Sequence, residues 1–286
     1  MPTPQVADPP QIFIENLGIR GLLLAILLPF RFRVVATIAR QSDDPKTRKR
    51  NFSIREIKTT LKKQIMKLQQ REDNIKAAKS LKPRANEVVG IDLGLRRYAT
   101  LSDGTFIDAP AYLAPNGHAV LENIFKAQHP IESFERRSDY GQAYFRFQTG
   151  TINAFLEQWS TWLVALPFKV FCFENWGGKN ERNLFTGAHN YKMAQFDKFI
   201  KMVAAKAKAA GKAVLQIPKY TRSTCVCSNC GWEYASIKPS IHEWTCPICQ
   251  THHDRDLNAA YNIRNYVLKE FLEIDSSEAS NTGLDD

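Results

Sequence analysis

Two Cys-x-x-Cys pairs constrain this chain more than any other feature. They are Cys227-Ser-Asn-Cys230 and Cys246-Pro-Ile-Cys249, with fifteen residues between them. Each pair makes a tight turn that aims two thiolates at one ion, the signature of a zinc ribbon. So short a segment buries too little apolar surface to fold unaided, so the metal supplies its stability. Three cysteines crowd into six residues, Cys225, Cys227 and Cys230, so five candidates compete for four places. Gly231 can take the positive φ that closes a knuckle after Cys230. That turn and the matching Cys246–Cys249 pair select Cys227, Cys230, Cys246 and Cys249 as ligands of one Zn²⁺. With four cysteines available, His242, His252 and His253 read as surface or supporting groups. Cys172 reads as a core residue.

The chain has 286 residues, 44% of them hydrophobic, enough for one large domain or a few smaller pieces. Net charge is +10, which points to a polyanionic partner. Lys46 to Arg84 carries fourteen Lys and Arg against three acids, a balance of +11 that accounts for the whole excess. Within it, 53–80 reads as a helix with Ser53 and Glu56 as a capping box. Ile54, Ile57, Leu61, Ile65 and Leu68 fall on one face, and Lys58, Lys62, Lys63 and Lys67 lie off it. Arg48, Lys49, Arg50, Lys58, Lys62 and Lys63, with Lys219 and Arg222 beside the ribbon, are the expected nucleic-acid contacts.

The longest apolar run, GLLLAILLPF, is too short to span a bilayer. Its long leader, with Arg20 against Asp8 and Glu15, does not fit a signal peptide. The expectation is an intracellular protein without membrane contact, cytoplasmic in a bacterium or archaeon and associated with the nucleoid. In that compartment cysteines bind metal rather than form disulfides.

After Pro83 the pattern gives three strands in hairpin order, with an SDGT turn between the second and third. Aromatic-rich helical stretches follow over 118–165, where Phe145, Phe147, Phe155, Trp159 and Trp162 read as core. FKVFCFENW supplies a fourth strand. The helix that follows has Met193, Phe196, Ile200, Val203 and Ala207 inward and stops at Gly211. Another strand, the cysteine region and a last helix complete the order, which predicts an α/β fold with an RNase H-like core. Asp92 lies in VVGIDLG, where a buried carboxylate is costly unless paired or metal-bound, and Gly94 beside it permits close approach. Glu174 ends the fourth strand. Asp256 lies in the first turn of the last helix, with Asp254 as its cap. Two-metal phosphodiester hydrolysis needs carboxylates converging on ions about 3.5–4 Å apart, and Mg²⁺ or Mn²⁺ prefers such oxygen ligands. The D-x-G hairpin also occurs in actin-like ATPases, but no second phosphate loop is evident and the ribbon counts against that class.

The segments GIDLGLRRYATLSDG, FENW, STCVCSNCG…CPIC and HDRDLNAAYNI, in this order, resemble the TnpB (OrfB) family of transposon-encoded proteins, whose relatives are the type V CRISPR effector nucleases. The resemblance covers roughly residues 86–268. It implies a RuvC-like nuclease of RNase H fold with a zinc ribbon inserted between its second and third acidic motifs. By position the three catalytic acids fall on Asp92, Glu174 and Asp256, binding two Mg²⁺ or Mn²⁺, with DNA as substrate and a transposon-end RNA as guide. The implied division is a basic nucleic-acid-binding region at 1–85, nuclease core at 86–219, ribbon at 220–251, core again at 252–272 and a disordered acidic tail at 273–286. Two departures stand out. Asn175-Trp176 replaces the family's Asp-Leu, and 91 residues precede Asp92 where the family has a longer wedge-like part. FRFRVVATIA then reads as a remnant wedge strand. The alternative expectation is a shortened, nuclease-inactive nucleic-acid-binding transposon protein that acts as a regulator or remnant.

Overall fold

The computed structural model describes residues 54–175, 193–218, 221–234, 237–238 and 240–274, excepting the side chains of 54–58. Outside the described residues lie GLLLAILLPF, FRFRVVATIA, the Ser53 cap, Trp176 and all of the acidic tail beyond Ile274. The chain divides into two compact units, Met1–Glu72 and Asp73–Asp286. Helix α1 is Ile54–Ser80. In the first unit its Leu61, Ile65 and Leu68 are half-buried and Lys62, Lys63 and Lys67 exposed, which matches the expected stripe and its basic flank.

The second unit is built on a five-stranded mixed sheet in the order β3-β2-β1-β4-β5. Strands β1 (Val88–Leu93), β2 (Arg97–Leu101) and β3 (Phe106–Asp108) form an antiparallel meander. Strand β4 (Val170–Phe173) runs parallel to β1, and β5 (Ala213–Gln216) parallel to β4. The SDGT segment turns the β2–β3 hairpin, where Gly104 has φ +91° and Asp103 Oδ1 accepts from both the backbone and the hydroxyl of Thr105. Between β3 and β4 come α2 (Gly117–Gln128) and α3 (Arg137–Ala165). Helix α4 (Phe196–Ala209) joins β4 to β5 and ends before Gly211 at φ +68°. Helix α5 (Arg255–Val267) follows the cysteine region and widens into a π-helical turn over Leu268–Leu272.

Strand alternation divides the core. Val89, Ile91 and Leu93 of β1 face a cluster that includes Leu156 and Leu163 of α3 and Phe199 and Val203 of α4. Val88 faces the opposite cluster, with Cys172, Leu215 and Ile263, Val267 and Leu268. The inward set Met193, Phe196, Ile200, Val203 and Ala207 is buried as expected. The α3 aromatics Phe147, Phe155, Trp159 and Trp162 are half-buried against the same core, whereas Phe145 is 65% exposed. A bulge interrupts β2, where the register shifts between Arg97 and Ala99. Tyr98 and Ala99 therefore both enter the helix-side core, and Tyr98 donates to the Ala194 carbonyl at 2.8 Å.

The sheet face shared by Val88, Gly90 and Asp92 is covered by α5, which lies on β1 with almost no gap. A methyl group built on Gly90 would stand 2.0 Å from the Ala260 carbonyl oxygen and 2.6 Å from the Arg264 amide nitrogen. Gly94 is tight too, at 3.0 Å from the Arg97 carbonyl, but the decisive close approach is at Gly90. Gly90→Ala forces backbone apart and is expected to cost about 3 kcal/mol, the upper end of ordinary overpacking. Urea denaturation that leaves the midpoint unchanged would contradict this packing.

Candidate functional site

Two chemically distinct centres lie along the chain, and α5 belongs to both. At the first, the Sγ atoms of Cys227, Cys230, Cys246 and Cys249 all lie within 4.8 Å of one another. Cys227 and Cys249 stand 3.6 Å apart, as do Cys230 and Cys246. Four sulfurs at the Zn–S bond length of about 2.3 Å would be roughly 3.8 Å apart, so this donor set fits zinc. Backbone bonds close both knuckles: the Gly231 amide donates to the Cys227 carbonyl at 2.9 Å, and the Gln250 amide to that of Cys246 at 3.0 Å. Gly231 has φ +77°, as expected, and the second knuckle places Gln250 at φ +59°.

Strands β6 (Glu243–Thr245) and β7 (His252–Asp254) pair behind the knuckles. Trp232, Tyr234 and Trp244 pack on the cysteines. Hydrogen bonds with Thr251, first through its side chain and then its backbone, hold the Cys249 thiol down to about 5. Burial pushes the Cys227 thiol up. His253 is buried against Trp244, with ring centroids 4.6 Å apart, and its Nε2 stands 3.1 Å from Cys227 Sγ. It supports the cysteine cluster rather than facing the carboxylates. Cys225 lies outside the four, and Cys172 is fully buried in the core.

At the second centre, Asp92 lies near the end of β1 and Glu174 directly after β4. Ile91 pairs with Phe173 across the two parallel strands, so Asp92 and Glu174 are level one residue further on. Asp256 comes from the first turn of α5, which packs on β1. Asp254 caps that helix by accepting from the amides of Asp256 and Leu257, both at 3.0 Å. Such a cap is worth about 1 kcal/mol, and it leaves Asp256 buried and turned inward. Burial, then the charges of Glu174 and Asp256, raise the Asp92 carboxyl well above its usual range. That compression of like charges is what a bound cation relieves, and an all-carboxylate donor set suits a hard divalent ion.

Among the described residues, three guanidiniums meet these acids. Arg96 reaches Asp254 at 3.3 Å and Asp256 at 3.1 Å, Arg97 reaches Asp254 at 3.0 Å, and Arg255 grips Asp256 Oδ1 at 3.0 and 3.2 Å. The Ser223 hydroxyl donates to Glu174 Oε1. The ribbon is stapled to α5 as well. Asn258 accepts from the Ser228 amide at 2.9 Å and donates to the Val226 carbonyl at 2.8 Å, and Asn262 donates to the carbonyls of Ser223 and Val226, both at 2.7 Å. Sequence reasoning missed all of these groups. The usable signal for the asparagines was their i, i+4 spacing, which puts both on one helix face.

Of the expected nucleic-acid contacts, Lys62 and Lys63 are exposed on α1. Arg222 is exposed but bonded to Glu233 at 3.0 Å and the Tyr234 carbonyl at 2.7 Å, so it braces the ribbon. Arg48, Lys49, Arg50, Lys219 and the Lys58 side chain lie outside the described residues. Among the described residues no helix is long and apolar enough to cross a membrane.

Comparison with known proteins adds three findings. Residues 196–263, which hold α4, β5, the ribbon and the start of α5, match the family model "Cas12f1-like, TNB domain". A Streptomyces pristinaespiralis protein named "Putative RNA-guided DNA endonuclease" is 28% identical over 203 residues, covering 67% of this chain and 47% of its own length. The chain thus spans about half the length of that curated relative. Two solved structures, of a Cas12f1–sgRNA–target DNA complex and a CRISPR-Cas12f ternary complex, align at 15% identity over 62% of this chain, covering 49% and 38% of theirs, with TM-scores of 0.45 and 0.39.

The donor set makes a direct prediction for metal content. Purified protein should carry one zinc per chain, Cys230→Ser should lose it, and Cys225→Ser should keep it. Elemental analysis that finds zinc lost in Cys225→Ser and kept in Cys230→Ser would overturn the ligand assignment.

Proposed function

We propose that this chain carries a RuvC-like, RNase H-fold nuclease centre that hydrolyses DNA phosphodiesters, directed by a guide RNA and derived from a transposon. The observation that carries the reading is the meeting of Asp92, Glu174 and Asp256 from β1, the end of β4 and α5. Burial, and then the charges of Glu174 and Asp256, raise the Asp92 carboxyl. The Streptomyces relative's name and the match to the Cas12f1-like TNB family support DNA as substrate and RNA as partner.

In this reading Asp92, Glu174 and Asp256 hold two divalent cations, Mg²⁺ or Mn²⁺. Such a pair, when bound, activates water and stabilises the leaving oxygen of an in-line displacement. The chain's own residues set the geometry. Asp92 is fixed by a strand buried on both faces. The Ser223 hydroxyl orients Glu174 by donating to Oε1. Arg96 and Arg255 balance the negative charge at Asp256 and hold its carboxylate in place. Exposed Lys62 and Lys63 supply phosphate contacts on α1. Cys227, Cys230, Cys246 and Cys249 hold a structural zinc whose ribbon, tied to α5 through Asn258 and Asn262, sets the start of the helix bearing Asp256.

A plasmid-nicking assay with Mg²⁺, using protein loaded with its co-purified RNA, tests the reading. Cleavage should fall by at least about 10³-fold in Asp92→Ala, since removing a ligand of the paired ions dismantles the site. Undiminished cleavage in that variant sinks the assignment. Replacing the repelled charge should also stabilise the metal-stripped fold. Asp92→Asn is expected to gain about 1 kcal/mol near neutral pH, read as a raised melting temperature. Because burial and neighbouring acids raise the folded-state pKa of Asp92, the gain should be absent at acid pH, grow as pH rises past the ordinary aspartate range of the unfolded chain, and be complete above the raised folded-state pKa.

A further inference from the structure

A single row of side chains leads from the carboxylate centre to β3, the edge strand of the sheet among the described residues. Asp92 on β1 is in register with Thr100 on β2, and Thr100 with Phe106 on β3. Residues directly opposite one another in antiparallel strands point to the same face, so Phe106 shares the face of Asp92. Two strand spacings of about 4.8 Å separate their backbones. That total, roughly 10 Å, is the span of about three stacked nucleotides at about 3.4 Å each. Asp92 and Thr100 are buried, whereas Phe106 is 48% exposed.

The bulge in β2 completes the arrangement. Without it, strict alternation would send Arg97 to the helix-side core with Ala99 and Leu101. Because Tyr98 and Ala99 both fill that core opposite Ile107, Arg97 emerges on the face of the acids, in register with Asp108. Its guanidinium carbon lies 4.7 Å from the centre of the Phe106 ring, and its NH1 is 3.0 Å from Asp254. Bulges commonly re-aim a side chain next to an active site. Here the re-aimed group is a half-buried cation beside an exposed aromatic ring.

We propose that Phe106 and Arg97 form a platform for single-stranded DNA, on which a base near the reacting phosphate stacks on Phe106 while Arg97 contacts the backbone. An aromatic face with an adjacent guanidinium is the combination that binds single strands without reading sequence. The platform rests on the nuclease reading above for the identity of the bound strand, since it lies on the row that leads to Asp92. It adds two residues and a strand path that the carboxylates alone do not specify.

The test measures binding rather than cleavage. The full chain carrying Asp92→Ala, with its zinc retained, is titrated in buffer free of Mg²⁺ and Mn²⁺ with a short single-stranded DNA bearing 2-aminopurine, with anisotropy and base fluorescence read together. Phe106→Ala in that background should weaken binding about 10-fold, within the range for loss of one base–aromatic stack, and should abolish the fluorescence quenching. Phe106→Trp should restore both, and Phe106→Leu, equally apolar, should not. Unaltered affinity and quenching in Phe106→Ala, while the parent binds, overturns the platform and leaves the nuclease reading standing. A loss confined to single-stranded RNA overturns the assignment to the cut strand. A parent protein that binds no single strand likewise overturns the platform, while the nuclease reading stands or falls by the nicking assay.

Discussion

The carboxylate centre depends on α5 lying directly on β1, backbone against backbone. Gly90 makes this possible, because any side chain there would meet the Ala260 carbonyl. The contact brings the first turn of α5 to the end of β1, so a residue 164 positions downstream of Asp92 in the chain arrives beside it. Arg264 reinforces the approach by donating to the carbonyls of Val88 and Ala85 at 3.1 and 2.8 Å. The energetic cost is a cluster of like charges. Burial and the acids around it disfavour the ionised form of Asp92, while Arg96, Arg97 and Arg255 offset part of the repulsion. A site of this kind is destabilising by itself and is stabilised by whatever cations it binds.

The cysteine cluster enters the same account through α5. Helix and ribbon are fastened by the two asparagines at i and i+4, and Ser223 at the ribbon's base bonds Glu174. Two of the three acids therefore touch, or follow directly from, the segment that four thiols organise. Loss of metal from those thiols is expected to loosen the connection between β5 and α5, and with it the position of Glu174 and Asp256. This is a mechanical link through hydrogen bonds rather than a direct electrostatic one.

Much of this was legible in the sequence because it rests on short-range patterns. The meander is written in the alternation of GIDLGLRRYATLSDG and its Asp-Gly turn. The helix α4 face is written at 3.6-residue spacing, and the knuckles in Cys-x-x-Cys. Asp254 as cap with Asp256 inward also followed from local rules and holds in the structure. What was not legible depends on tertiary register. Nothing local distinguishes Gly90, on which a helix rests, from Gly94, beside the acid. The bulge at Tyr98 is invisible in a run of five strand-like residues, so Arg97 reads as facing the wrong side. His253, expected as a surface or supporting group, does support the cysteines, but its partner Cys227 follows only from its place in the middle of β7. Phe145 fits the aromatic pattern of a core helix but stays exposed.

The central claim is that Asp92, Glu174 and Asp256 act as one divalent-cation centre. The most direct measurement is Mn²⁺ binding followed by electron paramagnetic resonance, on the parent protein and on Asp92→Asn, Glu174→Gln and Asp256→Asn. The account predicts a spin-coupled pair of ions in the parent and loss of that coupled signal in all three variants, with zinc content unchanged. A parent that binds no Mn²⁺, or variants that each bind the pair as the parent does, would contradict it.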